Sequence, residues 1–310
     1  GSNADAAGLE RGQLFYGVNG TPLNRNNINE LFSSDSYTIN LASYNDNGTS
    51  ETNDDTIIQE SETILLTKAS FCENPIYTTD ILTVEGENVA YLMYNGFVSD
   101  YNNQLNAVFA DFRSNNVQHL VLDLRYNPGG SVNTSILLAS LITGQFTGEI
   151  HSTEQWNSDI QTAFFNQNPE NLINRFTNTL NNNSINSLFL NKVYVLTTGD
   201  SASASELLIN TLKPYIDVIH IGTTTEGKYQ GSITLYDSEN FQRNGANPNH
   251  TYAMQPLVLK LANTVGFTDY SEGLNPDILM SEIPQNYGVL GNENEPLLAR
   301  ALSEISMSNS

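Results

Sequence analysis

Cysteine is all but absent from this 310-residue chain. Cys72 is the one thiol, so no internal disulfide can form and no structural zinc site has the ligands it needs. A lone thiol of this kind is expected to be a buried, inert packing group. Its neighbours Phe71 and Glu73 offer no activating base, which argues against a cysteine nucleophile. Cations are scarce as well: 12 Lys and Arg stand against 34 Asp and Glu, for a formal charge of −22. Nucleic acid and anionic membrane surfaces are set aside as partners, because both are polyanions. The carboxylates are spread between periodic apolar segments, which makes the charge a solubility device rather than a mark of disorder. No run of 18 apolar residues occurs, and no basic leader precedes an apolar stretch, so the chain as it stands is expected neither to span a membrane nor to carry a signal peptide. The opening Gly1-Ser2-Asn3-Ala4 matches the scar that tag removal leaves, and equally a native start, so an export signal ahead of it stays open.

What the chain does contain is a 39% hydrophobic fraction, enough for a substantial core, in a length that suits one main domain and a smaller one. Residues 5–66 read as a small β-rich unit. The segment Ala6-Ala7-Gly8-Leu9-Glu10-Arg11-Gly12-Gln13-Leu14 leads into an apolar strand ending at Val18-Asn19-Gly20. Asn-Gly is a hairpin signal because both residues tolerate positive φ. Residues 45–60, rich in Asn, Asp, Thr and Ser, predict an exposed loop before a strand over 63–67. This unit resembles the second half of a PDZ domain, in which an Ala-Gly-Leu turn precedes a strand and an Asn-Gly turn. The resemblance implies an incomplete PDZ-like module, lacking the first strands and the glycine loop that holds a peptide carboxylate.

Over 67–310 strands alternate with helices, the pattern of α/β layers. Strands are expected at 89–94, 117–124, 192–197, 218–221, 232–236 and 258–261. Helices are expected at 102–112, 132–142, 203–212 and 296–305. The run 117–124 is nearly continuous in apolar residues, as a strand buried on both faces must be. Residues 145–188, rich in Asn and Gln around Trp156, predict a mostly helical insertion at the rim of the site.

The chemistry concentrates in Thr198-Gly199-Asp200-Ser201-Ala202-Ser203-Ala204-Ser205-Glu206, small residues between a strand and a helix. Small side chains let the backbone turn tightly and leave a hydroxyl at a helix N-terminus, where unpaired N–H groups and the dipole favour negative charge. A serine there still needs a base. Twenty-five positions beyond Ser203, Glu226-Gly227-Lys228 supplies a lysine. An ordinary lysine, with a pKa near 10.4, is a poor base, and burial away from anions is what makes one effective. Upstream, Leu122-Asp123-Leu124-Arg125-Tyr126-Asn127-Pro128-Gly129-Gly130 closes the buried strand with a glycine turn.

Together these motifs resemble the C-terminal processing, or tail-specific, proteases, whose Ser-Ala-Ser-Ala-Ser-Glu segment carries the nucleophile at its central serine and whose Gly-Lys loop carries the base. The likeness runs over most of residues 86–305 outside 145–188. It includes Gly273-Leu274-Asn275-Pro276-Asp277 and Asn292-Glu293-Asn294-Glu295-Pro296-Leu297-Leu298. It implies an α/β, crotonase-like protease core behind the PDZ-like module, with Ser203 as nucleophile and Lys228 as general base. The oxyanion donors would be Ala204 N–H and an N–H of Gly129 or Gly130. Glu206 either supports catalysis or serves the helix dipole. Other members place a glutamine four residues after the lysine, where this chain has Ser232. By the same resemblance the substrate would be an unstructured polypeptide entered from an apolar C-terminal tail, no metal or cofactor is needed, and the setting is exported, periplasmic or lipoprotein-anchored.

A histidine base finds less support. His119 and His220 lie in apolar strands as packed rings, and His151 and His250 in polar loops, with nothing linking any of them to Ser203. The strand at 90–94 is expected to pair with substrate backbone. Two rival readings remain. One is a catalytically silent peptide-binding protein on the same fold. The other is an acyl-CoA enzyme, which the scattered cations serve poorly as a phosphate site.

Overall fold

The computed structural model describes residues 1–49 and 53–308, in two compact units. The first comprises Gly1–Glu73 with Glu282–Pro296. Its four-stranded antiparallel sheet runs Thr21–Pro22, Leu14–Val18, Ser36–Asn45, Thr56–Thr67. Asn19 (φ 50°) and Gly20 (φ 77°) make the expected tight turn between the first two strands. Val18, Ile39 and Leu41 form its core, with Leu23, Phe32 and Leu66 packed around them. The predicted loop over 45–60 is shorter than expected: Thr56–Thr67 is one twelve-residue strand paired with Ser36–Asn45. Cross-strand pairing orders the polar Thr and Gln residues that read as loop, and residues 50–52 lie outside the described residues. Cys72, expected to be buried, is exposed in the irregular segment that precedes the next strand.

The second unit holds Asn74–Ser281 with Leu297–Ser310. A six-stranded sheet lies in the order Ile278–Leu279, Asp217–Gly222, Lys192–Thr197, His119–Asp123, Glu87–Tyr94, Ile76–Val84. All neighbours are parallel except the last pair. Continuous apolar runs such as Leu120, Val121 and Leu122 are fully buried because helices cover this parallel sheet. Asn102–Ser114, Val132–Thr143 and Ala204–Leu212 supply Leu105, Phe109, Leu138 and Leu208 to one core.

A second, antiparallel sheet orders Gln230–Ser232, Leu257–Ala262, Ile150–Trp156 and Ile173–Arg175. It accounts for two corrections. Residues 145–188 are not mostly helical: they contain two of these strands, a ten-residue helix Ser158–Gln167 and a short ladder of Thr179–Leu180 with Asn183–Ser184. The predicted strand at 232–236 divides into Gln230–Ser232 and Leu235–Tyr236, which pair in different sheets. The expected role of 90–94 in receiving substrate also fails, because Glu87–Tyr94 is paired on both edges and buried from Val89 onward.

His151 belongs to a strand, not to a polar loop, and is fully buried. Its Nδ1 lies 3.2 Å from Ser152 Oγ and its Nε2 3.0 Å from Thr211 Oγ1. Burial pushes its imidazole down to about 3. His220, also fully buried, is held at about 4, chiefly by burial and secondarily by the Lys213 charge. Both rings are neutral in the folded state and take up protons in the unfolded chain below the ordinary 6.5. The unfolded state then binds more protons, so stability is expected to fall as pH drops from 6.5 toward 4. The slope approaches ~1.4 kcal/mol per pH unit for each ring. Urea unfolding at pH 7, 6 and 5 checks this, and a slope unchanged by His151→Gln would refute that ring's share.

Candidate active site

Three adjacent parallel strands each end in one of the predicted motifs. The Lys192–Thr197 strand lies between His119–Asp123 and Asp217–Gly222. Leu196 is in register with Asp123 on one side and with Ile221 on the other. The loops leaving their carboxyl ends are therefore neighbours: residues 124–131, 198–203 and 223–229. Ser203, Ala204, Gly130 and Lys228 all line one cleft of about 160 Å³.

The alternating serines of the central motif divide the work. Ser201 Oγ donates to the Leu124 carbonyl (2.7 Å) and accepts from Thr198 N (3.0 Å), and Ser205 Oγ donates to the Asn127 carbonyl (3.0 Å). Both are buried, which leaves Ser203 as the serine that reaches the cleft. Ser203 has φ 56° and ψ −110°, a conformation that costs a non-glycine residue free energy and persists only where the surroundings hold it. It is the N-cap of Ala204–Leu212.

Asn127 is one of the groups that hold it, a role that the sequence motif alone does not assign. Its carbonyl accepts from Ala202 N (3.0 Å) as well as from Ser205, its Nδ2 donates to the Tyr94 carbonyl (2.7 Å), and its Oδ1 accepts from Gly129 N (2.9 Å). A short polar side chain after a buried strand is the one signal that marks it. Behind it, fully buried Arg125 donates to Asp123 through Nε (3.0 Å) and through its terminal nitrogen (2.8 Å), and Tyr91 donates to the same carboxylate (2.7 Å).

The two glycines separate on these contacts. The Gly129 N–H is taken by Asn127, and Gly129 is buried with φ 100°. A Cβ there would stand 2.6 Å from Ser203 Cβ and 2.8 Å from Ala204 N. Gly130 lines the cleft and bridges to Phe97, where a Cβ would stand 2.3 Å from the carbonyl oxygen. Gly129→Ala is therefore expected to displace Ser203 and to lower turnover by a factor on the order of 10² or more, as loss of one aligned donor does. Steady-state kinetics on the folded variant checks it, and unchanged turnover would count against this packing.

Glu206, in the first helical turn, is fully buried. Its Oε2 accepts from Ser203 N (2.8 Å) and Lys228 N (2.9 Å), and its Oε1 from Gly227 N (2.7 Å) and Thr225 Oγ1 (2.6 Å). Four donors match the four lone-pair positions of a carboxylate. The residue thus ties the Ser203 turn to the Lys228 loop through backbone groups. Lys228 was expected to be buried and is exposed, because its loop reaches the cleft mouth with Gly227 half-covered and Glu226 outside. Among the described residues its ammonium makes no ion pair.

The remaining walls are Val132, Leu207, Leu259, Leu261 and Tyr270, with Glu154 and Gln230 as polar members. Ser232 lines the cleft too, and its hydroxyl accepts from Gln255 Nε2 (3.1 Å), a second cleft residue that no local motif signalled. Of the histidines, His119 bonds Glu87 (2.6 Å), His220 bonds Thr197 (2.5 Å) and His250 bonds Asp237 (3.1 Å), and none lines the cleft. Among the described residues no group of three or more His, Cys, Asp or Glu side chains is arranged to hold a metal, and no helix is long and apolar enough to cross a membrane.

Residues 88–245 match the model of Peptidase family S41. Two Staphylococcus epidermidis proteins named as CtpA-like serine proteases are 27% identical to the chain over 154 residues, 49% of this chain and 28% of theirs. The match therefore spans little more than a quarter of those relatives. A crystal structure of a Bacteroides fragilis protein assigned to the S41 proteases aligns over 100% of this chain and 77% of its own, at TM-score 0.79 and 28% identity. The photosystem II D1 C-terminal processing protease, 18% identical, aligns over 97% of this chain and 70% of its own at TM-score 0.54, a likeness of fold.

Proposed function

This chain belongs to peptidase family S41, a family of serine peptidases with the crotonase-like α/β core, and from that premise we propose that it is a serine endopeptidase working through Ser203 and Lys228. The observation that carries the reading is the cleft itself. A serine held at positive φ on a helix N-terminus shares it with a lysine that makes no ion pair among the described residues and with the Gly130 turn.

In the proposed reaction Ser203 Oγ attacks the scissile carbonyl carbon and passes its proton to a neutral Lys228 amine. The N–H groups of Ala204 and Gly130 receive the oxyanion, at the dipole-positive end of Ala204–Leu212. Lys228 returns the proton to the leaving amine, and water then hydrolyses the acyl-enzyme by the same route. An exposed amine is well hydrated, so the mechanism requires the substrate to cover Lys228 and strip its water, which favours the neutral form. Glu206 is a positioning residue: it touches backbone N–H groups and the Thr225 hydroxyl.

The substrate class belongs to the same proposal: unstructured polypeptides, cut at or near their C-termini, with the N-terminal unit as an incomplete PDZ-like module and an exported, cell-envelope setting. Exposure of Lys228 is the observation that favours a second reading, a catalytically silent peptide-binding protein. Mass spectrometry of casein incubated with the parent chain, Ser203→Ala and Lys228→Ala separates the two. Cleavage by the parent alone supports the dyad, and binding without cleavage by any of the three puts the binder first.

A further inference from the structure

Among the described residues that line the cleft with Ser203, Glu154 is the one carboxylate besides which Lys228 is the one cation. In the pairing of Ile150–Trp156 with Leu257–Ala262, Glu154 stands opposite Leu261 and Trp156 opposite Leu259. Directly opposed residues share a face of a sheet, so the carboxylate is set among the leucines of the cleft wall. Its Oε2 accepts from Trp156 Nε1 (2.9 Å) and its Oε1 from Asn174 Nδ2 (3.4 Å). Both donors are neutral, and two of the four lone-pair positions of the carboxylate stay open. A glutamine would serve Trp156 and Asn174 as well, so neither contact calls for the charge. Half-buried, Glu154 makes no ion pair among the described residues. A second group lacks a partner too. Tyr270 is 5% exposed and lines the same cleft, yet its hydroxyl makes no hydrogen bond among the described residues, where a buried tyrosine hydroxyl ordinarily finds one.

We propose that Glu154 is a specificity-determining residue: the cleft takes one lysine or arginine side chain of the substrate, from beside the bond that is cut, with its charged head on the Glu154 carboxylate. The inference rests on the protease reading and deepens it by naming the side chain selected. Lysine and arginine lay long apolar stems along apolar surface while their heads reach a polar partner. Leu207, Leu259 and Leu261 offer that surface, Glu154 accepts charge-assisted hydrogen bonds, and the Tyr270 hydroxyl is a further acceptor for a head with several donors. Lys228, neutral at the moment of attack in the proposed mechanism, leaves the carboxylate to the substrate. A space of about 160 Å³ suits one long side chain rather than a larger ligand. An apolar side chain of equal length would cover the carboxylate and leave its charge without a partner, which is costly. An acidic one would meet a like charge.

Fluorescence anisotropy on the full Ser203→Ala chain compares a labelled unstructured peptide bearing lysines with the same peptide bearing acetyl-lysines, which keep the stem and lose the charge. The lysine form is expected to bind at least about tenfold more tightly, and Glu154→Gln in the same background to bring the two within about twofold. Glu154→Leu, a second variant should the glutamine one fail to fold, is expected to favour the acetylated form. Equal binding of both forms, or binding of neither, overturns the inference. A gap that persists in the variants traces to the net charge of −22 rather than to Glu154, and overturns it as well. Cleavage is scored separately, by mass spectrometry of casein fragments from the chain with Ser203 intact. Cutting with no enrichment of lysine or arginine at a position flanking the cut removes this inference alone, whereas a lysine preference in binding without any cutting keeps the pocket and removes the protease reading.

Discussion

Ser203→Ala is expected to lower casein cleavage by a factor on the order of 10⁵, Lys228→Ala by a similar factor, and the double variant by no more than either alone. In the proposed mechanism nucleophile and base act as one unit: without the amine the hydroxyl keeps its proton, and without the hydroxyl the amine has nothing to activate. Neither change should unfold the protein. Lys228 is exposed and makes no ion pair among the described residues, so its truncation falls within about 0.5 kcal/mol of the parent. Alanine at 203 keeps the Cβ and meets the same backbone cost at φ 56° as serine does. Quantitative mass spectrometry of early fragments, with melting curves alongside, makes the comparison. A Lys228→Ala variant that retains cleavage within tenfold would remove Lys228 from the mechanism.

The second large effect concerns Glu206. Glu206→Ala would leave three backbone N–H groups and the Thr225 hydroxyl without their buried acceptor. Each orphaned group costs about 1–3 kcal/mol before water or relaxation compensates, so a loss of roughly 3–5 kcal/mol in stability is expected. Glu206→Gln, of the same shape, separates structure from chemistry. Its carbonyl oxygen can serve the donors on one side, but its amide NH₂ then confronts donors on the other. Partial loss of stability is expected, with kcat reduced far more than KM altered and the pH profile unchanged in shape. A positioning residue has this signature, because the proton is carried elsewhere. A shifted pH profile in the glutamine variant would give Glu206 a proton-transfer role instead. Urea unfolding and pH–rate measurements on both variants supply the readouts.

The segments whose structure is legible in the sequence share a physical trait. Residues 117–124, 192–197 and 218–221 are mostly apolar, as strands buried on both faces of a parallel sheet must be, and they appear as His119–Asp123, Lys192–Thr197 and Asp217–Gly222. The helix over 102–112 shows itself through the spacing of Leu105, Phe109 and Phe112, one stripe facing the core. Residues 145–188 are different. Their strands Ile150–Trp156 and Ile173–Arg175 are largely polar, they pair with each other, and the second partner of Ile150–Trp156 is Leu257–Ala262, about a hundred residues away. No local pattern announces such a pairing. The same strand lays the buried His151 ring against Thr211 of a distant helix.

The site divides along the same line. The order and spacing of Gly129-Gly130, Ser203 with Glu206, and Lys228 lie in the amino-acid sequence, because backbone turns of this tightness demand small residues and the chemistry demands a hydroxyl and an amine. That three adjacent parallel strands deliver these groups to one cleft was settled by the sheet, through a register that pairs Leu196 with both Asp123 and Ile221. Folding also decided which glycine N–H is taken by Asn127, which of the three motif serines faces the cleft, and that Glu206 binds backbone N–H groups and the Thr225 hydroxyl rather than the side chains of Ser203 and Lys228. Those outcomes depend on which hydrogen-bond partners meet across the packed strands, a property of contacts between segments and of none of the segments alone.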